Sequence, residues 1–423
     1  MLSIVMPVKN RIKHMVTTLD GICAQNVSKK NFEVIVVNDA SAETFPDLKK
    51  IKNIINVNVI NNSKPRGRSF ARNLGINNAR GENILFLDGD SYPGEGLIER
   101  HLIFHNTKKG VLIGRRAEIG LPSYLRILRK EPKIMGVSFN DMESDLRAIH
   151  FFKQPSKSYW KKYGWIAAYT HNISVNKRLL LKSGMFDQKI VGWGGEDVDM
   201  FYRVAKNGAN FYFDSSALCY HLPHLRNLIN EGEQENKNYI YRMEKYRNID
   251  FELLHETPFD RFIPCVEYYQ KSIAKMIVSR PLKIFKYFER EKPKKNNIYW
   301  GVEILKYMKD KNIFTNDFNR KTIGNNYNLL GLRTPFPSKK FSKSINIENW
   351  RFVHWLDISK LVKENLRISK SLILVGFKKN IDSSDIARNL VEDEHLLFDE
   401  IKRIYNNSYL KYHEDYFEII ISC

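Results

Sequence analysis

The chain has few cysteines for its length. Four occur in 423 residues, and none of them forms a Cys-x-x-Cys pair. A zinc cluster or a disulfide framework needs cysteines at characteristic spacings, so neither is expected. We therefore expect the cysteines to be reduced.

Long hydrophobic runs are also absent. No stretch approaches the roughly 20 apolar residues that a membrane-spanning helix needs. The first residues, MLSIVMPVKN, have no basic leader before their apolar run, which favours a buried strand over a signal peptide. These features predict a cytoplasmic protein, with peripheral contact at the inner face of a membrane as an open alternative.

Acidic residues are outnumbered. The chain has 68 Lys and Arg against 47 Asp and Glu, a formal net charge of +21. Such a charge attracts polyanions, which include nucleic acid, an anionic membrane and an anionic polysaccharide. The sequence contains no RNP1 box or C2H2 finger, so nucleic acid is not an expected partner. The sequence does not indicate an oligomeric state.

Short apolar runs alternate with amphipathic stretches over the first hundred residues. The runs are LSIVMPV, FEVIVVND, NVNVINN and NILFLDGD. This order predicts an α/β fold with a Rossmann-like, mostly parallel sheet and flanking helices. Ligands of such sheets bind beyond the carboxyl ends of the strands, where Pro7, Asp39, Asp88 and Asp90 fall.

Three regions are predicted along the chain. Residues 1–225 are expected to form a catalytic domain, and residues 226–297 a charged helical extension that Pro281 must break or kink. The extension is interpreted as packed on the catalytic domain or as lying on an anionic membrane. Residues 298–423, which contain the strand-like runs SLILVGF and FEIIIS, are expected to form a smaller α/β domain without a chemical motif.

Two carboxylates follow the fourth apolar run. Asp88 and Asp90 lie two positions apart, so an extended chain places them on one side, and Gly89 between them permits close approach of a ligand. Paired carboxylates suit a hard divalent cation. The same DGD sequence also makes ordinary turns, so it is not specific by itself.

A second acidic group follows the glycine-rich turn IVGWGG. Glu196, Asp197 and Asp199 are crowded together at the start of a predicted helix. One interpretation is a solvated helix start, in which Gly195 is the N-cap and the acids complement the helix dipole. The other is a site at which a carboxylate meets a ligand that donates a proton.

The motifs occur together in one order: SIVMPVKNR, VVNDAS, GRSFARNLGINNARGENILFLDGD and GWGGEDVD. In this respect residues 1–224 resemble the family-two glycosyltransferases with the A-type nucleotide-sugar-binding fold, of the chondroitin-polymerase and β-1,4-galactosyltransferase kind. The resemblance implies a metal-dependent, inverting transfer of a sugar from a UDP-sugar to a hydroxyl of a glycan. A capsule, teichoic-acid-like or glycosaminoglycan-like chain is the expected acceptor.

The resemblance also implies roles for residues that bind the nucleotide. Pro7 and Asp39 would frame the uracil, and Asp39 would accept its imide N–H. Arg72 and Asn73 would lie near the nucleotide. Asp88 would hold the ribose or assist the metal.

Further roles implied by the resemblance concern the metal and the acceptor. Asp90 and His221 would bind Mn²⁺ or Mg²⁺, with His224 as the alternative ligand. Asp197 would be the base that removes the acceptor proton, and Glu196 would hold sugar hydroxyls. Asp199 would only complement the helix start. The acceptor would be bound by Trp193 and Gly194.

Other functions stay open from the sequence alone. The acceptor could be a peptide or a lipid-linked molecule. A nucleotidyltransferase would typically show a glycine-rich phosphate loop after the first strand, whereas PVKNRIKH contains no glycine. The interpretation as a non-catalytic polyanion-binding protein depends on the net charge alone and leaves the acidic motifs unexplained.

Overall fold

A computed structural model describes residues 1–130, 147, 158–258, 261–279, 284–301, 304, 313–318, 324–377 and 394–422. The chain forms two units, Met1–Asn238 and Tyr239–Cys423. This division falls within the helix Leu228–Tyr246, and the sequence placed its boundaries after residues 225 and 297. The predicted break at Pro281 lies outside the described residues.

The described part of the first unit contains one sheet of eight strands in the order β3-β2-β1-β4-β7-β6-β8-β5. Strands β1 to β4 are parallel, and β7 runs antiparallel to both β4 and β6. The strands are β1 Leu2–Val8, β2 Phe32–Asn38, β3 Val57–Asn61, β4 Asn83–Leu87, β5 Ser91–Pro93, β6 Val111–Glu118, β7 Asn172–Asn176 and β8 Phe211–His221. The predicted mostly parallel sheet is confirmed.

The central strands are buried because helices cover both faces of the sheet. All seven residues of β2 are buried, and β1 has only one residue that is partly exposed. Their continuous Val and Ile runs are typical of parallel strands that contact helices on each side. The core includes Ile4, Val34, Val36 and Leu85, none of which is exposed.

Helices of the first unit connect and flank these strands. The described α-helices are Ile12–Cys23, Lys49–Lys52, Arg68–Asn78, Leu97–Thr107, Leu121–Leu128, Ser158–Tyr163, Lys177–Lys182, Glu196–Lys206 and Leu228–Tyr246, with 3₁₀ turns at Lys29–Asn31 and Gly164–Ala167. Within the described ranges, no helix combines the length and the apolar composition that a membrane span requires.

The pairing of β6 with β8 is irregular. Gly114 pairs with Asp214, but the next residue of β6, Arg115, pairs with Leu218. The extra residues of β8 form a bulge, which changes the register of everything that follows. After the bulge, Glu118 at the end of β6 lies beside His221 at the end of β8.

The second unit also contains a sheet, with the described strands in the order β11-β10-β9-β12-β13-β15-β14. Its first five strands are parallel, and β15 is antiparallel to β13 and β14. The strands are β9 Asn297–Gly301, β10 Phe314–Asp317, β11 Asn326–Tyr327, β12 Phe341–Ile347, β13 Ser369–Phe377, β14 Ser408–Tyr412 and β15 Tyr416–Ser422. A second, smaller α/β sheet domain is thereby confirmed.

Helices also accompany the second sheet. The described helices are Ile249–Glu256, Phe262–Ser279, Ile284–Arg290, Ile358–Ile368 and Glu394–Ile404, with 3₁₀ turns at Asn349–Phe352 and Trp355–Asp357. Two apolar runs singled out in the sequence, SLILVGF and FEIIIS, lie in β13 and β15. Both strands are largely buried, as their composition predicts.

Candidate functional site

A cavity of about 450 Å³ opens at the carboxyl ends of β1, β2 and β4. This is the edge of the sheet where a parallel α/β fold places its ligand. Six residues singled out in the sequence line the cavity: Pro7, Asp39, Arg72, Asp88, Asp90 and Trp193. The chain therefore brings the strand-end residues and the glycine-rich turn to one place.

Asp39 organises the wall beside β2. Its Oδ1 accepts hydrogen bonds from the backbone N–H of Arg66, at 2.8 Å, and from the side chain of Asn62, at 3.0 Å. Its Oδ2 accepts one bond, from the backbone N–H of Gly67 at 2.8 Å. A carboxylate oxygen can accept two hydrogen bonds, so Oδ2 can take one more donor from a ligand.

Arg72 joins two acidic motifs. Its Nη1 donates to Glu196 Oε1 at 2.8 Å, and its Nη2 donates to Asp88 Oδ1 at 3.1 Å. Burial opposes the charge on Arg72, but Asp88 and Glu196 outweigh it and raise the pKa of the guanidinium. Burial likewise opposes ionisation of Glu196, but Arg72 outweighs it and lowers the pKa of that carboxyl. Both groups are therefore charged inside the protein.

Asn73 is engaged elsewhere. Its side-chain amide donates to the backbone carbonyl of Phe186 at 2.8 Å and accepts from the backbone N–H of Phe186 at 2.9 Å. Asn73 is buried and is not among the described residues that line the cavity. The structure therefore places Asn73 as a tie between the helix Arg68–Asn78 and the segment before the glycine-rich turn.

Three side chains that can bind a metal meet at the end of the sheet. One potential ligand atom from each of Asp90, His221 and His224 lies within 4.8 Å of the others. Asp90 Oδ2 is 3.7 Å from His221 Nε2 and 3.7 Å from His224 Nδ1. One carboxylate oxygen and two imidazole nitrogens form a donor set that a divalent transition metal ion accepts. The residues therefore fit such an ion.

The electrostatics of this cluster are set by its own members. Burial would raise the pKa of Asp90, but the hydrogen bond and charge of His221, with His224 and Arg11, hold that pKa well below its usual range. Burial would lower the pKa of His221, but its bonds to Asp90 and Glu118 outweigh this and raise the pKa to about 8. Asp90 is therefore a carboxylate, the form that binds a cation.

Arg11 contributes a cation that the sequence analysis did not assign. Asn10 and Arg11 both have left-handed backbone conformations, with φ of 60° and 54°. The carboxylate of Glu43 accepts the backbone N–H groups of Arg11 and Ile12, at 2.6 and 3.0 Å, and so holds this turn. Arg11 Nη1 then lies 3.4 Å from Asp90 Oδ2, in the cavity wall.

The acids after the glycine-rich turn have separate environments. Glu196 is buried against Arg72, whereas Asp197 is partly exposed and its Oδ1 accepts the backbone N–H of Val198 at 2.8 Å. Neither is among the described residues that line the cavity. Asp199 is fully buried and binds the guanidinium of Arg203 at 2.7 Å. Asp199 lies in the first turn of its helix, as the sequence indicates, but it is an internal ion-pair partner rather than a solvated acid.

The turn itself is held by the first turns of the helix Leu228–Tyr246. Gln234 Oε1 accepts the backbone N–H of Trp193 at 2.7 Å, and Asn238 donates to the carbonyls of Trp193 and Gly194. Gly192 and Gly194 have φ of 82° and 95°, and a Cβ atom on Gly192 would lie 2.4 Å from Gln234 Oε1. The glycines are therefore required by the turn and by the close approach of this helix.

The same helix supplies cavity residues that the sequence analysis missed. Asn230, Glu231 and Gln234 of this helix line the cavity, together with Asn227 just before it. Arg226, which forms an ion pair with Glu231, lies over the ring of Trp193 at 4.9 Å. The sequence does contain a signal for these cavity residues, the amide-rich stretch NLINEGEQEN. This stretch lies in a segment that was interpreted as a charged extension.

Known proteins are similar to part of this chain. Residues 3–175 match the family model described as glycosyl transferase family 2. Chondroitin synthase of Escherichia coli is 28% identical over 238 residues, which cover 52% of this chain but only 34% of that protein. The uncharacterized glycosyltransferase YfnE of Bacillus subtilis (strain 168) is 24% identical over 294 residues, which cover 61% of this chain and 74% of YfnE.

A solved structure also aligns with part of the chain. It is the crystal structure of S. aureus TarS 1-349 in complex with UDP-GlcNAc, which has a TM-score of 0.43 and 18% identity. The alignment covers 57% of this chain and 66% of that one.

Proposed function

Because residues 3–175 carry a glycosyl transferase family 2 domain, we propose that this glycosyltransferase is metal-dependent and moves a sugar from a UDP-sugar to a hydroxyl of a glycan. The observation that carries the proposal is the meeting of Asp90, His221 and His224 beside the cavity. A divalent cation bound there would neutralise the charge that develops on the departing diphosphate. The two imidazole nitrogens favour Mn²⁺ over Mg²⁺, which prefers oxygen ligands.

The uridine would occupy the part of the cavity between Pro7 and Asp39. Asp39 Oδ2 retains capacity for one further donor, and the imide N–H of uracil is such a donor. Asp88, which is partly exposed in the cavity wall, would bind the ribose or assist binding of the metal ion. Arg72 and Asn73 would act by holding the surrounding segments in place rather than by contact, since both are engaged internally.

The diphosphate would lie along the cationic side of the cavity. Arg11 and Arg68 both line it, and Arg11 is adjacent to Asp90. Their guanidinium groups can form charge-assisted hydrogen bonds to phosphate oxygens. The positive charges would thus bind the donor together with the cation.

Asp197 would be the general base of the transfer. It follows the turn that borders the cavity, and its partly exposed carboxylate can accept a proton from an incoming hydroxyl. One direct displacement with a base opposite the leaving group inverts the anomeric centre. Glu196, fixed by Arg72, would hold sugar hydroxyls beside Asp197.

The acceptor would bind against the glycine-rich turn. Trp193 lines the cavity and Gly194 continues the same backbone, and the amide groups of Asn227 and Asn230 add hydrogen-bonding capacity. This combination of an indole with planar amides suits a hydroxyl-rich sugar. Chondroitin synthase, a similar protein by sequence, makes the glycan acceptor our choice over a peptide or a lipid-linked molecule. Peripheral contact with an anionic membrane stays a prediction.

The test is turnover of UDP-glucose, UDP-galactose and their N-acetyl forms with Mn²⁺ and a panel of oligosaccharides. We expect a β-linked product from an α-linked donor, identified by NMR. Asp197→Asn should lower transfer about 10²–10⁴-fold and leave UDP affinity unchanged. Asp47→Asn, at an exposed site with its own lysine partner, is the matched control. An α-linked product, or normal turnover by Asp197→Asn, would refute the mechanism.

A further inference from the structure

We propose that Glu118 is a positioning residue that fixes the ring of His221 so that Nε2 faces the cation site. The inference rests on the proposed metal-dependent function and adds a residue to it. Glu118 Oε2 and His221 Nδ1 are 2.5 Å apart, on the side of the ring opposite to Asp90. Glu118 is not among the described residues that line the cavity, so its effect must pass through the histidine.

The sheet register creates this pair. Without the bulge between β6 and β8, continued pairing from Gly114 and Asp214 would put Leu218 beside Glu118. The three extra residues of β8 move His221 into that position instead. An odd shift also exchanges the two faces of a strand, because side chains alternate. The bulge therefore brings His221 opposite Glu118 and also turns the His221 side chain to the other face of the strand.

Hydrogen bonding then selects one form of the imidazole. A neutral imidazole has one N–H donor and one acceptor nitrogen. Because the Glu118 carboxylate accepts a hydrogen bond from Nδ1–H, the neutral ring that would bind a cation keeps its proton on Nδ1 and its lone pair on Nε2. Nε2 is the atom that lies 3.7 Å from Asp90 Oδ2. A carboxylate behind a ligating histidine orients the ring and increases its basicity as a ligand.

The neighbouring groups show that this arrangement is specific to His221. Arg116 forms an ion pair with the other oxygen of Glu118 and so holds the carboxylate in place. Nδ1 of His224, the other imidazole of the cluster, lies 3.2 Å from the backbone carbonyl of Leu222 and 3.7 Å from Asp90 Oδ2. We therefore expect Glu118 to control the ligand contributed by His221 alone.

The experiment measures Mn²⁺ affinity of the full chain by electron paramagnetic resonance and calorimetry. Glu118→Ala should weaken Mn²⁺ binding about 10–100-fold. Glu118→Gln should weaken it less, because its amide oxygen still accepts from Nδ1–H. UDP binding without metal and the melting temperature without metal should stay near wild type, since Glu118 is partly exposed and is not among the described residues that line the cavity or form the buried core.

Two controls separate positioning from general stability. Glu33→Gln alters another buried carboxylate, which binds Ser3 and Arg80 away from the cavity, and should leave Mn²⁺ affinity unchanged. In a His221→Ala background, Glu118→Ala should have no further effect on Mn²⁺ affinity. The inference would be refuted if Glu118→Ala lowered Mn²⁺ affinity further in the His221→Ala background. It would also be refuted if Glu33→Gln lowered Mn²⁺ affinity as much as Glu118→Ala does.

The remaining outcomes distinguish the inference from the proposed function. If the wild-type chain binds Mn²⁺ and Glu118→Ala binds it equally well, the positioning role is wrong and the proposed function stands. If the wild-type chain binds UDP but Mn²⁺ neither binds nor improves UDP affinity, the metal-dependent function is wrong, and the inference falls with it.

Discussion

Replacing Arg72 by methionine tests the buried connection between the two acidic motifs. The Arg72 side chain is 3% exposed and lies between Glu196, 5% exposed, and Asp88, 32% exposed. Methionine fills similar space without the charge, so Glu196 would become a buried carboxylate without its partner. Asp88 can be solvated instead and should contribute little to the loss.

The size of the effect follows from these environments. Removing one partner of a buried ion pair costs about 3–5 kcal/mol. Arg72 Nε is itself buried without a hydrogen-bond partner among the described residues, so the native pair is not fully compensated. We therefore expect Arg72→Met to lower the free energy of unfolding by an amount near the lower end of this range, about 3 kcal/mol. The double variant Arg72→Met/Glu196→Gln should recover at least half of it, because no buried charge is left unpaired.

Hydrogen exchange measured by mass spectrometry on the full chain provides the assay. The opening free energy of the helix Glu196–Lys206 should fall by about 3 kcal/mol in Arg72→Met. Arg100→Met removes an ion pair with Asp214 in which the arginine is 46% exposed, and should cost less than about 1 kcal/mol. Equal effects of the two variants, or no recovery in the double variant, would refute the reasoning.

Three further outcomes are expected. Asp90→Ala should abolish the gain in UDP affinity that Mn²⁺ provides, and calorimetry that finds this gain unchanged would contradict the metal site. His101 is buried and burial lowers its pKa to about 4 from 6.5, so it is neutral in the fold. The unfolded chain binds the proton first as pH falls through 6.5, and stability should drop by about 3 kcal/mol by pH 4, seen as a shift of the urea midpoint that His101→Gln reduces. Gly192→Ala should destabilise the turn by about 1–2 kcal/mol, because φ is 82° and the new Cβ would lie 2.4 Å from Gln234 Oε1. An unchanged melting temperature would contradict this account of the turn.

The sequence predicts those parts of the site that depend on local pattern. Apolar runs followed by Asp39, Asp88 and Asp90 are sufficient to bring these residues to one edge of a parallel sheet. The order of motifs predicts a resemblance to the family-two glycosyltransferases, and residues 3–175 match that family's model. These features need only the periodicity of strands and a general rule about where such sheets bind ligands.

Features that depend on register or on distant side chains could not be predicted. Glu118 becomes the partner of His221 only because of a bulge, and no residue of β6 signals it. Asn73 looked like a nucleotide contact but binds the backbone of Phe186, more than a hundred residues away in the chain. The role of Gln234 required knowing that its helix returns to the glycine-rich turn. In each case the information lies in the tertiary arrangement.

The strand order also has a consequence for folding. Strands β1 to β4 are joined by short crossovers and pair within residues 2–87, whereas β4 pairs with β7 and β5 with β8 across long stretches of chain. Contacts between distant segments form slowly because closing a long loop costs more entropy. We therefore expect the cavity wall that contains Asp39 to assemble early and the cluster of Asp90, His221 and His224 to assemble last, when β8 joins the sheet. Asp90 and His221 are then separated for most of the folding reaction, so Mn²⁺ would stabilise the finished domain without guiding its assembly.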